Sequence, residues 1–101
     1  MLTDGEKDYE LCYSMKRIQM IEGSMGGKSL LSAMSGVPAI SDLVKMCAYG
    51  LRVSGKQGWI SPTQGTRVAE AAIENDGFMA VYREVSEALE RDCGFLFQTA
   101  E

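Results

Sequence analysis

Two periods of apolar residues organise this chain. Ile40, Leu43, Val44, Cys47, Ala48 and Leu51 recur at helical spacing, which predicts a central amphipathic helix over residues 40–53 that its neighbours pack against. Ser41 suits the cap of its first turn, Asp42 the positive end of the helix dipole and Arg52 the negative end. Phe78, Val81, Tyr82, Val85, Ala88 and Leu89 form a second stripe, with Arg83, Glu84, Glu87, Glu90 and Arg91 outside it. Glu87 and Arg91 stand in the favourable order for an ion pair four residues apart. Asn75-Asp76-Gly77 separates this helix from one that begins at Ser61-Pro62, a capping serine followed by proline at the first helical position. That earlier helix has a thin apolar face of Val68, Ala69, Ala72 and Ile73, and Gly65 is expected to weaken its first turns.

The first third is more irregular. Residues 1–7 are polar and read as frayed. Tyr9, Leu11 and Tyr13 alternate with Glu10 and Cys12, the period of a short strand with one buried face. Ser14 then caps a helix whose inner face is Met15, Ile18, Ile21 and Met25, and Gly23, Gly26 and Gly27 end it. Residues 29–34 have room for about one and a half helical turns with Leu30, Leu31 and Met34 inward, closed by Gly36 and Pro38. Ser54-Gly55-Lys56-Gln57-Gly58 is a loop by composition, and Trp59-Ile60 reads as an apolar anchor ahead of the next helix. The fold class is therefore mainly α: a small single-domain bundle of four to five helices with a short N-terminal strand, spanning residues 1–101.

Composition narrows the function. A chain of 101 residues, 46% hydrophobic and 24% charged, builds one core of modest size, so any binding surface is shallow or shared. Ten basic against fourteen acidic residues give a net charge of -4, the wrong sign for tracking nucleic-acid phosphates. Neither a secretory leader nor a membrane-spanning run is legible, which points to a cytoplasm and away from a membrane. Cys12, Cys47 and Cys93 are odd in number and widely spaced, the pattern of reduced, packed residues rather than of a disulfide framework or zinc site.

Candidate chemistry is sparse. Gly23 to Ser29 ends in the Gly-Lys-Ser of a phosphate-binding loop, but the position required to hold its first glycine is Glu22, and a helix precedes it where that fold needs a strand. With no histidine, nucleophile–histidine pairs and the usual metal sites are excluded, and the carboxylates are scattered along solvent faces. No catalytic, cofactor-binding or metal-binding residue is assigned. The Asn-Asp-Gly turn could pass for a helix-turn-helix, but its second helix carries Glu84, Glu87, Glu90 and Asp92 beside Arg83 and Arg91, a poor match to DNA. Of the seven methionines, Met15, Met25, Met34 and Met46 read as core fillers and Met79 as a surface residue. Phe95, Leu96 and Phe97 either fold back on Tyr9 and Leu11 or stay open as a docking patch.

The order of these features carries a resemblance. Asp8-Tyr9-Glu10-Leu11, a helix ending Ile21-Glu22-Gly23, the Gly27-Lys28-Ser29-Leu30 turn, Val37-Pro38-Ala39-Ile40-Ser41-Asp42-Leu43-Val44 and a closing Gly77-Phe78 helix ending Gly94-Phe95-Leu96 together resemble the tail assembly chaperones of long-tailed, siphophage-type bacteriophages. The resemblance covers about residues 8 to 98 and is thinnest from Arg52 to Thr66. It implies a non-enzymatic protein of a phage or prophage, made in the host cytoplasm and absent from the mature virion. Such a protein binds the tape measure protein, keeps it soluble and helps recruit tail tube protein, with many copies acting as a homo-oligomer and a longer form often made by frameshifting. No binding motif of the family carries over residue by residue; the surface residues of this chain themselves point to Met79, Phe95, Leu96 and Phe97 as the partner-binding surface. The alternative reading is a structural tail or head-tail connector protein of the virion.

Overall fold

The computed structural model describes residues 2–3 and 5–97. Three short strands, β1 (Leu2–Thr3), β2 (Asp8–Leu11) and β3 (Leu51–Val53), form an antiparallel sheet in the order β1-β2-β3. Tyr9 stands opposite Leu2 on one side and Val53 on the other, and Leu11 opposite Leu51. The alternation read at Tyr9 and Leu11 is therefore a real strand with its odd residues buried. Two strand partners were not legible in the sequence. Residues 1–7 are not uniformly frayed, because Leu2 is buried and Leu2–Thr3 pair with β2, while residues 1 and 4 lie outside the described set.

Five α-helices complete the described fold: α1 (Met15–Ser24), α2 (Leu30–Ala33), α3 (Ile40–Ala48), α4 (Pro62–Asp76) and α5 (Phe78–Asp92), followed by a 3-10 turn at Gly94–Leu96. Ser14, Ser29 and Ser61 cap α1, α2 and α4 through their hydroxyl oxygens, which accept from Arg17, Ser32 and Gln64 N–H. Gly77 ends α4 with φ of 94°, a conformation that favours glycine, and α5 starts immediately after it. The chain is thus mainly helical, with the sheet laid against β2-facing α5 and β1-facing α4.

The central helix is shorter than its periodicity predicts. It ends at Ala48, and Leu51, expected on its last turn, belongs to β3 with Arg52. Gly50 explains the break: a side chain there would run into the Tyr13 ring, so the backbone passes directly over that ring and turns into the sheet. The new strand also supplies partners for β2, which as a lone strand would leave its amides unmatched. At the other end Ala39, not Ser41, is the N-cap residue, and no side chain caps the helix. Ile40 is 63% exposed, off the inner face, whereas Leu43, Met46 and Cys47 are fully buried.

The core joins both layers. Tyr9, Leu11 and Leu51 from the sheet meet Ile18 and Ile21 of α1, Leu43 and Met46 of α3, Val68 and Ala69 of α4, and Val81, Val85 and Leu89 of α5. The stripe read on α5 is buried at Val81, Val85, Ala88 and Leu89 and half-buried at Phe78 and Tyr82. α3 lies closest to α4, where Gly65 sits against the Ala48 carbonyl with room for no Cβ. Gly65 therefore sets the helix–helix approach rather than merely weakening a turn. Of the core methionines expected, Met46 is fully buried, Met25 and Met34 are half-buried, and Met15 points out at 58% exposure. Leu31, expected inward, is 45% exposed, because the single turn of α2 turns Leu30 and Ala33 to the core instead.

Candidate functional site

The expected partner-binding residues divide between the two ends of α5. Met79, on the first turn, is 60% exposed. Phe95 and Phe97, beyond the last turn, are 45% and 41% exposed, while Leu96 between them packs on the core. Leu96 N–H donates to the Cys93 carbonyl and Phe97 N–H to that of Gly94, so a tight turn anchored by Leu96 holds both phenyl rings outward. Fifteen residues of helix separate the two ends, about 22 Å at the usual rise. Met79 and the Phe95–Phe97 turn thus form two surfaces, not one patch. Three further exposed apolar residues were missed by sequence reading: Leu31, Val37 and Ile40 lie within a stretch, residues 29–41, that holds no charged residue. The missing charges were a legible signal.

The Gly-Lys-Ser stretch is internally satisfied. Glu22 Oε2 accepts from the Leu30 N–H at 2.8 Å, Ser29 caps α2, and Lys28 Nζ pairs with Asp42 Oδ2 at 2.5 Å. Asp42 is buried, so the pair pins the turn before α2 onto the first turn of α3. The carboxylate expected to answer the helix dipole has a cation as its main partner.

Between β2 and α5 lies a groove of about 410 Å³ whose lining includes Glu10, Cys12, Glu87, Arg91 and Asp92. Arg91 donates from Nε and Nη2 to the two Asp92 oxygens at 2.8 and 2.9 Å and from Nη2 to the Leu11 carbonyl at 2.6 Å. Its partner is thus its chain neighbour rather than the expected Glu87, because Asp92 is itself fixed by the Tyr13 N–H at 3.0 Å. The Arg91 hydrogen bond holds the Asp92 carboxyl below its ordinary pKa, and the Tyr13 amide adds to this, so Asp92 is an anion near neutrality. Burial pushes the Cys47 thiol up to about 12 and raises Tyr13 and Cys93 as well. These groups stay protonated near neutral pH, and Tyr13 instead donates its hydroxyl to the Met46 carbonyl at 2.7 Å. All three cysteines are free, Cys47 and Cys93 buried and Cys12 half-buried. Among the described residues no three metal-ligating side chains gather in one place.

The most organised polar cluster surrounds Trp59. Its indole Nε1–H donates to the Cys12 carbonyl at 2.8 Å, which pins the ring beside β2. Arg17 of α1 and Arg52 of β3 both lie over it, their guanidinium carbons 4.7 and 4.4 Å from the ring centroid. Arg17 also lies 5.7 Å from the Tyr49 ring and donates from Nε to the Tyr49 carbonyl at 2.7 Å. Burial pulls the Arg17 pKa down from its ordinary value, with Arg52 adding to this and Tyr49 opposing it. Arg52, expected at a helix terminus, came here only because residues 51–53 fold as a strand. Neither a family model, nor a characterised protein, nor a solved structure matches this chain.

Proposed function

We propose that this chain is a non-enzymatic assembly chaperone of a long-tailed phage or prophage, acting in the host cytoplasm. In this reading it binds the tape measure protein, keeps that long helical partner soluble and helps recruit tail tube protein. The order of caps, turns and apolar runs along the sequence suggests the family, and one structural observation supports the role. Phe95 and Phe97 are held open to solvent by an anchored turn on a domain whose other aromatic residues are buried or half-buried. Such rings lose water favourably when an apolar helix face covers them. Met79, Leu31, Val37 and Ile40 are further exposed apolar residues, apart from that turn, that a coating protein can offer to its partner or to further copies of itself.

Co-expression with the tape measure protein of the same genome, followed by size-exclusion chromatography with light scattering, tests the reading. A soluble complex with several copies per tape measure is expected. The double change Phe95→Ser and Phe97→Ser is expected to weaken that complex at least tenfold while the helical circular dichroism signal stays unchanged. A tape measure protein that remains insoluble, with this chain eluting alone and later found in purified virions, would replace the chaperone with a structural connector.

A further inference from the structure

The groove between β2 and α5 carries a charge that the fold leaves unanswered. β1 stops opposite Tyr9, so among the described residues no strand lies beside Leu11, and α5 stands across that gap. Leu2, Tyr9, Leu11 and Ala88 give the groove a buried apolar floor, while Glu10 and Glu87 are exposed at its rim. Four carboxylates, Glu10, Glu84, Glu87 and Asp92, line it with a single guanidinium, that of Arg91. Two of these carboxylates have lost the cation that their position offers. Glu87 precedes Arg91 by one helical turn, but Arg91 is engaged by both Asp92 oxygens and by the Leu11 carbonyl. Glu10 stands opposite Arg52 in the sheet, but the Arg52 guanidinium lies over the Trp59 ring, 4.4 Å from its centroid. Among the described residues neither Glu10 nor Glu87 makes an ion pair.

We propose that this groove receives a lysine or arginine side chain of a protein partner. Such a side chain joins an apolar stem to a charged end, which matches an apolar floor beneath exposed carboxylates. A cation placed there also relieves the repulsion among the carboxylates that share the lining. The volume of about 410 Å³ falls within the usual range of ligand pockets, about 300 to 1,000 Å³. Among the described residues these carboxylates do not converge as metal ligands would, so an elongated organic cation suits them better than a metal ion. An aspartate or phosphate of a partner would meet the same four carboxylates, and an apolar side chain would cover Glu10 and Glu87 without pairing them. Phe95, Leu96 and Phe97 do not line the groove, so the inference stands apart from the chaperone reading.

Nitrogen-edited NMR of the full chain tests the site. The probes are three acetylated and amidated peptides of sequence Ser-Val-X-Val-Ser, with X lysine, norleucine or glutamate, compared at one ionic strength. The lysine peptide is expected to shift the amide signals of Glu10, Leu11, Cys12 and Ala88 along a saturating curve, with a midpoint about tenfold below those of the other two. Glu70, Glu74 and Glu90, exposed on α4 and α5 outside the groove, are expected to keep their signals in place. The double change Glu10→Gln and Glu87→Gln, at exposed positions, should raise the lysine midpoint about tenfold, while Glu90→Gln leaves it unchanged. If the double variant folds poorly, the three peptides on the wild type still decide. A norleucine or glutamate peptide that matches the lysine midpoint would overturn the cation assignment. No saturating shift with the lysine peptide, or equal shifts at Glu70, Glu74 and Glu90, would overturn the groove as the site.

Discussion

Gly65 and Asp92 show how a single side chain changes meaning once its neighbours are known. In an isolated helix, Gly65→Ala gains about 1 kcal/mol of propensity. Here the added Cβ would lie 2.5 Å from the Ala48 carbonyl oxygen, a backbone atom that moves only if α3 moves. Forcing that contact costs about 1 to 3 kcal/mol by the usual scale of overpacking. Gly65→Ala is therefore expected to lower the urea midpoint, for a net loss of about 1 kcal/mol. An increase would show that the two helices separate freely. Asp92 has its pKa depressed in the folded state by Arg91 and the Tyr13 amide. Its contribution is present above the ordinary carboxylate range of about 4 and is lost as pH falls through the lower folded value. Asp92→Asn is thus expected to cost most near neutrality, with the gap from wild type closing in acid. Urea midpoints from pH 7 to pH 3 measure it.

Elements held by few residues depend most on what they pair with. β1 is two residues long and cannot form alone, yet Leu2 is fully buried against the core opposite Tyr9. Leu2→Ala is expected to destabilise the fold by about 2 kcal/mol, as truncation of a buried leucine does. A change below about 0.5 kcal/mol, the size typical of exposed positions, would return this segment to the frayed terminus that its composition suggested. The α3–β3 junction follows the same logic. Leu51 continues the helical period of Ile40 to Ala48, and nothing local forbids another turn except Gly50, a residue that helices accept at modest cost. The break comes from Tyr13, 37 positions earlier, whose ring occupies the space a Cβ would need.

Taken together, the chain divides its surface by character. From Ser14 to Gly58 there are six basic and two acidic residues, and from Trp59 to Glu101 three basic and eight acidic, so charge is segregated along the sequence although the net is only -4. The net value gave no sign of the two arginines gathered on Trp59. Apolar exposure is divided too, among Met79, the Phe95–Phe97 turn and the uncharged stretch that carries Leu31, Val37 and Ile40. The proposed chaperone role, with contacts to a long partner and to further copies, would draw on several such sites. The proposed serine pair therefore tests one of these sites, the Phe95–Phe97 turn, and leaves the others unchanged.

Periodicity and capping chemistry were enough to locate α1, α4 and α5, the loop at residues 54–58 and strand β2, because each is specified by neighbours within a few positions: serine caps, a proline first turn, glycine stops and an alternating run. The outward setting of Met79 was legible for the same reason, as a break in a local pattern, whereas Phe95 to Phe97 read equally as packed or open until the turn after α5 was seen. Long-range contacts decided the rest. Strand pairing joined residues 2, 9 and 53, a tyrosine ring ended the central helix, and the carbonyl of one helix required glycine in another. The Arg17–Trp59–Arg52 cluster unites three elements separated by up to 42 positions. No local pattern encodes such a meeting, since it exists only after backbone pairing and close packing have brought the three side chains to one place.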